Sequence, residues 1–254
     1  MNLRVLGCSG GIGKHRRTTS LLIDDDILID AGSGVGDLSL EEMSKIRHIF
    51  LTHSHLDHFT FLPLLVDTMF PMIDTPMLIH GHEPTLQALQ KHIFNWHIWP
   101  DFAKLPSPEN PVMGYITMQP GDTVEVGGRT VEMIEVNHIV PCVAYRVAAQ
   151  SGVFAFSGDT TTNDTLWQAL NAHDRLDLLL VEAAFPNASE TLSRAAKHYT
   201  PNMLAEDIKK LRHNPRIYVS HPKPGHEDVI YQEVKQAITD RDIHSLNGGE
   251  VFEL

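Results

Sequence analysis

The chain of 254 residues is 42% hydrophobic and 20% charged, a composition that suits an ordinary soluble globular fold and excludes a disordered or fibrous chain. Its 32 acidic against 20 basic residues leave a net charge of −12, which argues against casual binding of a large polyanion but not against a small phosphorylated substrate held beside bound cations. The two cysteines, Cys8 and Cys142, make no disulfide framework, and the best apolar stretch, near Phe59, is broken by Pro63, Asp67 and Pro71. The N-terminal apolar run is too short for a signal peptide, so a reduced, cytoplasmic protein with no membrane contact is expected, built as one α/β domain over 1–254.

In chain order, residues 3–7 predict a first strand, followed by the turn Gly7-Cys8-Ser9-Gly10-Gly11-Ile12-Gly13. This turn fits neither glycine pattern that cradles phosphates and runs into the basic loop Lys14-His15-Arg16-Arg17, so it reads as a flexible connection. Residues 19–23 and 27–30 read as a hairpin around Asp24-Asp25-Asp26, and 31–36 as a loop. A strand over 46–52 delivers Thr52-His53-Ser54-His55-Leu56-Asp57-His58, and a helix over 59–66 follows, with Pro63 in its first turn. A strand at 76–79 precedes a helix over 83–94, marked by Leu86, Leu89 and Ile93. Residues 95–113, rich in proline and aromatics, show no period. They read as an insert, either a lid over a pocket or a segment packing Trp96 and Trp99 on the core.

A second hairpin, 124–126 and 130–136 around Gly127-Gly128, ends at Asn137-His138. Strands over 142–148 and 153–156 lead into Ser157-Gly158-Asp159-Thr160. A helix over 164–172 precedes an apolar strand, 178–181, that ends at Glu182. A helix over 201–211 opens on Pro201, where proline is tolerated, and the strand 217–220 ends at His221. A helix over 229–238 and a short strand finish the chain.

Strand after strand therefore ends in a side chain that binds cations: His53, His55, Asp57, His58, His138, Asp159 and His221. Seven such groups exceed one tetrahedral ion and suit two ions bridged by a carboxylate. Imidazole with carboxylate favours zinc, and manganese or iron where oxygen donors dominate. In an extended loop His53 and His55 point to one side, whereas Asp57 and His58, at the turn into the helix, face another.

H-x-H-x-D-H at 53–58, a lone His138, Ser157-Gly158-Asp159 and a late His221 resemble the metallo-β-lactamase superfamily, in that order along nearly the whole chain. The resemblance implies an αββα sandwich of two mixed sheets with helices on both outer faces. It implies one ion on His53, His55 and His138, a second on Asp57, His58 and His221, and Asp159 bridging. True β-lactamases place a cysteine where Asp159 stands, so lactam hydrolysis is not expected. Val181-Glu182-Ala183-Ala184-Phe185 resembles a segment of tRNA 3′-processing nucleases, and Lys197-His198-Tyr199-Thr200-Pro201 through Leu204-Ala205-Glu206-Asp207 resembles one of class II cyclic-nucleotide phosphodiesterases. The resemblance thus implies a metal-dependent phosphodiesterase acting on a small phosphodiester such as cAMP. Its catalytic residues would be His198 as general acid, Glu182 orienting it, and Asp57.

The alternatives are a tRNA 3′-end endonuclease, which the acidity and the lack of a basic arm oppose, an aryl sulfatase, and a vestigial metal-binding regulatory protein, which the complete ligand set opposes. A homodimer is compatible with these expectations. His80, His82, His92, His97, His173, His213 and His244 read as bystanders, and Cys142 as core. His226 reads as part of a turn and Lys223 as a solvated loop lysine, with a substrate or phosphate contact as the alternative for each.

Overall fold

A computed structural model describes residues 1–254. The first half of the chain forms β1 (Asn2–Gly7), β2 (Ser20–Ile23), β3 (Ile27–Ile29), β4 (His48–Leu51) and β5 (Met77–His82). A small hairpin of β6 (Pro106–Ser107) and β7 (Asn110–Pro111) precedes β8 (Met113–Met118). There follow β9 (Thr123–Val126), β10 (Arg129–Glu135), β11 (Val143–Ala148), β12 (Val153–Phe156) and β13 (Leu178–Glu182). The last strands are β14 (Arg216–Ser220), β15 (Ile243–Ser245) and β16 (Val251–Glu253). They assemble into two seven-stranded mixed sheets, β16-β1-β2-β3-β4-β5-β8 and β15-β14-β13-β12-β11-β10-β9. Neighbours from β3 through β8 in the first sheet, and from β12 through β15 in the second, run parallel. Parallel neighbours bring their C-terminal ends to one edge, where α/β folds collect functional loops.

Strand alternation builds the layers. Ile27 and Ile29 of β3 and Leu178 and Leu180 of β13 enter the apolar layer between the sheets, while Leu28, Leu179 and Val181 point outward. The outward residues need cover, and helices supply it. Beside the first sheet lie α1 (Leu40–Met43), α2 (Leu56–Phe59), α3 (Leu62–Met69) and α4 (Glu83–His92), with Phe59, Val66 and Leu86 buried in its outer core. On the second sheet α5 (Thr165–Asn171), the short α6 (Glu190–Ala196), α7 (Pro201–Asp207) and α8 (Glu227–Ala237) follow in order, and Leu166, Leu204 and Ile230 fill that layer. The architecture is the αββα sandwich. No helix is long and apolar enough to cross a membrane.

Several elements differ from the sequence expectation for physical reasons. The helix predicted over 59–66 is two helices, α2 and α3, parted at Thr60 and Phe61. In one continuous helix the Pro63 ring would strike the Phe59 carbonyl, whereas in the first turn of α3 it is tolerated. The helix predicted over 201–211 ends at Asp207 and tightens into a 3-10 turn, Ile208–Lys210. Strand β8 and helix α6 lie outside the predicted elements; β8 is buried at its two ends and half-exposed between them, so it shows no strand alternation. The 95–113 segment packs through Phe102 and Val112 into the outer core of the first sheet. Trp99 joins that packing, but Trp96 is 58% exposed.

Candidate metal centre

Both sheets send side chains to the shared edge. Two residues beyond β4 comes His53; His55 is the N-cap of α2, and Asp57 and His58 lie within that helix. From the second sheet come His138 beyond β10, Asp159 beyond β12, Glu182 at the end of β13 and His221 directly after β14. Donor atoms of His53, His55, His138 and Asp159 lie within 4.8 Å of one another, as do those of Asp57, His58 and His221. Asp159 stands between the sets, 3.6 Å from His53 Nε2, 3.3 Å from His58 Nε2 and 3.3 Å from His221 Nε2. All seven sequence candidates are therefore in one cluster.

The residues fit divalent metal. His53 Nε2, His58 Nε2, His221 Nε2 and Asp159 Oδ1 are buried and have no hydrogen-bond partner. Each such orphan costs about 1–3 kcal/mol, so four converging on one place call for a common partner. Atoms bound about 2.0–2.2 Å from a tetrahedral centre stand about 3.4 Å apart, close to the spacings to Asp159. His198 also lies within 4.8 Å of Asp159 and His221 donor atoms, which makes a third possible set.

Behind the cluster sits a layer that orients it, whose key member, Asp30, has no sequence signal beyond its place at the end of a predicted strand. His58 Nδ1 donates to Asp30 Oδ2 at 2.7 Å. The Thr52 hydroxyl donates to the same carboxylate at 2.9 Å and accepts from His53 Nδ1 at 2.9 Å. His138 Nδ1 donates to the Lys197 carbonyl at 3.0 Å. With each Nδ1 engaged, Nε2 is the nitrogen turned to the centre. Asp30, Lys197 and His221 are non-glycine residues in the left-handed region, at φ 59°, 54° and 62°. That conformation costs about 1–2 kcal/mol per residue, here at residues that carry or hold the cluster. Gly10 is required by proximity: a Cβ there would lie 2.6 Å from the His221 carbonyl oxygen and 2.9 Å from its ring.

Burial drives His53 well below the ordinary imidazole value and also lowers His55; it takes His138 to about 4 and His221 to about 3. Burial opposes ionisation of Asp159, but the His221, His58 and His53 charges hold its carboxyl well down. Neutral imidazole and ionised carboxylate are the forms that bind cations. His58 differs. Burial lowers it, yet the charges of Asp159 and Asp30 outweigh burial and raise it well above the usual range.

Beside the cluster, His198 Nδ1 donates to Glu182 Oε1 at 2.7 Å, and both residues are buried. Glu182 also accepts from the Thr160 amide at 2.7 Å and the Tyr199 amide at 3.3 Å, so its position is fixed from two sides. Burial lowers His198, but the Glu182 charge and hydrogen bond raise it on balance. The His198 ring lies 5.6 Å from that of His221, nearly parallel. None of the seven bystander histidines enters these sets, and Cys142 is buried in the outer core of the second sheet. A cavity of about 530 Å³ lies apart from the cluster, beside the glycine turn, between Cys8, Arg16, Tyr231 and Asn247.

A model of the beta-lactamase superfamily domain matches residues 25–221. The chain belongs to this superfamily. Among its relatives, a probable 3′,5′-cyclic-nucleotide phosphodiesterase of Yersinia pestis is 26% identical over 286 residues, covering 92% of this chain and 80% of that protein. The ribonuclease Z of Methanopyrus kandleri is 29% identical over 157 residues, covering 57% of this chain and 49% of that enzyme. The crystal structure of unliganded yeast PDE1 superposes with a TM-score of 0.82 at 18% identity, covering 100% of this chain and 99% of that one, a likeness of fold.

Proposed function

We propose that this member of the superfamily hydrolyses 3′,5′-cyclic nucleotides, such as cAMP, to nucleoside 5′-monophosphates at a centre of two divalent ions, zinc in the first instance. The broader class rests on the family and its named relatives: the chain is a metal-dependent phosphodiester hydrolase. The observation that carries the cyclic substrate is the near-complete match, 92% of this chain, to a relative named for that activity. The net charge of −12 fits a small substrate better than an RNA.

In this assignment His53, His55 and His138 would hold one ion and Asp57, His58 and His221 the other, with Asp159 placed between the two sets. When bound, such a pair of ions activates water and neutralises charge on the phosphoryl oxygens. The protein supplies orientation and a proton. Thr52, Asp30 and the Lys197 carbonyl hold the ligand rings in place. Glu182 fixes the His198 ring through Nδ1 and favours its protonated form, so that Nε2 delivers a proton to the departing 3′-oxygen. Asp57, at the partly exposed side of the cluster, completes the proposed catalytic group.

The test is hydrolysis by metal-loaded protein, with 5′-AMP as the product from cAMP. Failure to cleave cAMP would sink the cyclic-nucleotide substrate, and failure to cleave a generic phosphodiester reporter as well would sink the proposal as a whole. A tRNA 3′-end endonuclease is the second reading, motivated by the ribonuclease Z relative, and cleavage of precursor tRNA in a gel assay would put it first.

A further inference from the structure

The sequence reads Lys223 as a solvated loop lysine with a phosphate contact as the alternative, and the structure shows the side chain held rather than free. It is half-buried, two residues beyond His221 and flanked by Pro222 and Pro224, which restrict the backbone. Its amide donates to the Ala184 carbonyl at 3.0 Å, tying it to the chain just beyond Glu182. Its Nζ donates to the Gly10 carbonyl at 2.8 Å. Gly10 in turn lies against the His221 ring, where an added Cβ would stand 3.1 Å from Nε2. The ammonium group is thus anchored on the residue that touches a ligand of the cluster.

No carboxylate lies within ion-pair distance of Lys223, although Arg16 and Arg17 on the neighbouring loop are paired with Glu227 and Asp37. An ammonium group has three N–H donors, and the Gly10 carbonyl takes one. A half-buried cation with spare donors, anchored through Gly10 against the His221 ring, is placed to receive an anion held at the cluster.

We propose that Lys223 is the phosphate-binding cation of this site, its free N–H groups meeting a non-bridging phosphoryl oxygen of substrate and product. The proposal rests on the phosphodiester assignment and adds a residue to it. The contact is made to phosphate itself, so inorganic phosphate is a sufficient probe.

The experiment is calorimetric titration of inorganic phosphate into metal-loaded wild-type, Lys223→Gln and Lys223→Arg proteins, with metal content and melting temperature measured on each. Lys223→Gln keeps an N–H donor but loses the charge. It is expected to weaken phosphate binding by about 10- to 100-fold with metal content unchanged. Lys223→Arg is expected to stay nearer the wild type. Phosphate affinity within twofold of wild type in Lys223→Gln, equal losses in the two variants, or a loss of metal in step with the loss of phosphate would each overturn the assignment. A wild-type protein that binds phosphate through Lys223 yet leaves cAMP intact would refute the substrate and uphold the contact.

Discussion

Strand β4 has histidines at both ends, and the two ends are chemically opposite. At its start, His48 Nδ1 and His80 Nε2 are 3.0 Å apart and His80 stacks on Phe50 at 4.2 Å. Burial lowers both rings, and His80 falls to about 4. Beyond its other end, His53 and His58 are at least as buried, but they hang from Thr52 and Asp30 and face Asp159. Burial by itself makes a neutral histidine. A cation site also requires carboxylates and several Nε2 atoms turned to one point, which only the C-terminal end has.

The largest way to break this contrast is to remove Asp159, the carboxylate placed between both ligand sets. Asp159→Ala is expected to lose both ions in elemental analysis and to show background activity, as chelated wild-type protein should until metal is restored. Two ions per chain retained in the variant would defeat the bridging role. Next comes the distinction between ligand and proton donor. His198→Ala should keep its metal while kcat falls roughly 10²-fold or more, whereas Asp57→Ala should lose the ion of its own set. Equal metal loss in both variants would erase that division.

A smaller effect is expected one layer out. Asp30→Ala leaves every ligand in place but frees His58, and metal affinity measured against a competing chelator should drop about 10- to 100-fold. Unchanged affinity would mean that Asp30 does not orient the ring. The smallest effect belongs to the other end of β4, where His80→Gln should leave metal content and turnover unaltered. Its signature is in acid. An unfolded histidine titrates near pH 6.5 and folded His80 at about 4, so in this window the unfolded chain binds a proton that the folded chain lacks. This group therefore costs stability as the pH falls from about 6.5 to about 4, by about 2–3 kcal/mol in all. Melting temperatures across that range should fall less steeply in His80→Gln than in wild type, and parallel curves would show that His80 does not contribute.

Some of the site was legible because it is local. Three histidines and an aspartate within 53–58, between an apolar strand and a helical run, announce a ligand cluster without any tertiary knowledge. Asp30 was not legible. It lies far from His58 in the chain and reads as the end of a hairpin strand, and only the parallel pairing of β3 with β4 brings it beside Thr52. Lys223 was visible as a residue but not as a held one, because its anchor at Gly10 lies at the opposite end of the chain. Strand β8 was hidden for another reason: it lacks the apolar alternation by which strands are found.

The sequence by itself determined which side chains are of cation-binding type and most of the strand and helix order, since side-chain type and apolar period are local properties. The tertiary structure alone decided which of these side chains meet. His53, His55, Asp57 and His58 come from the first sheet and His138, Asp159 and His221 from the second. Their meeting depends on two C-terminal edges brought together by the apolar layer between the sheets, where Ile29 and Phe50 share a core with Phe156 and Leu180. Burial in that assembly also shifts the protonation of these side chains, because desolvation and neighbouring charge act through space rather than along the chain.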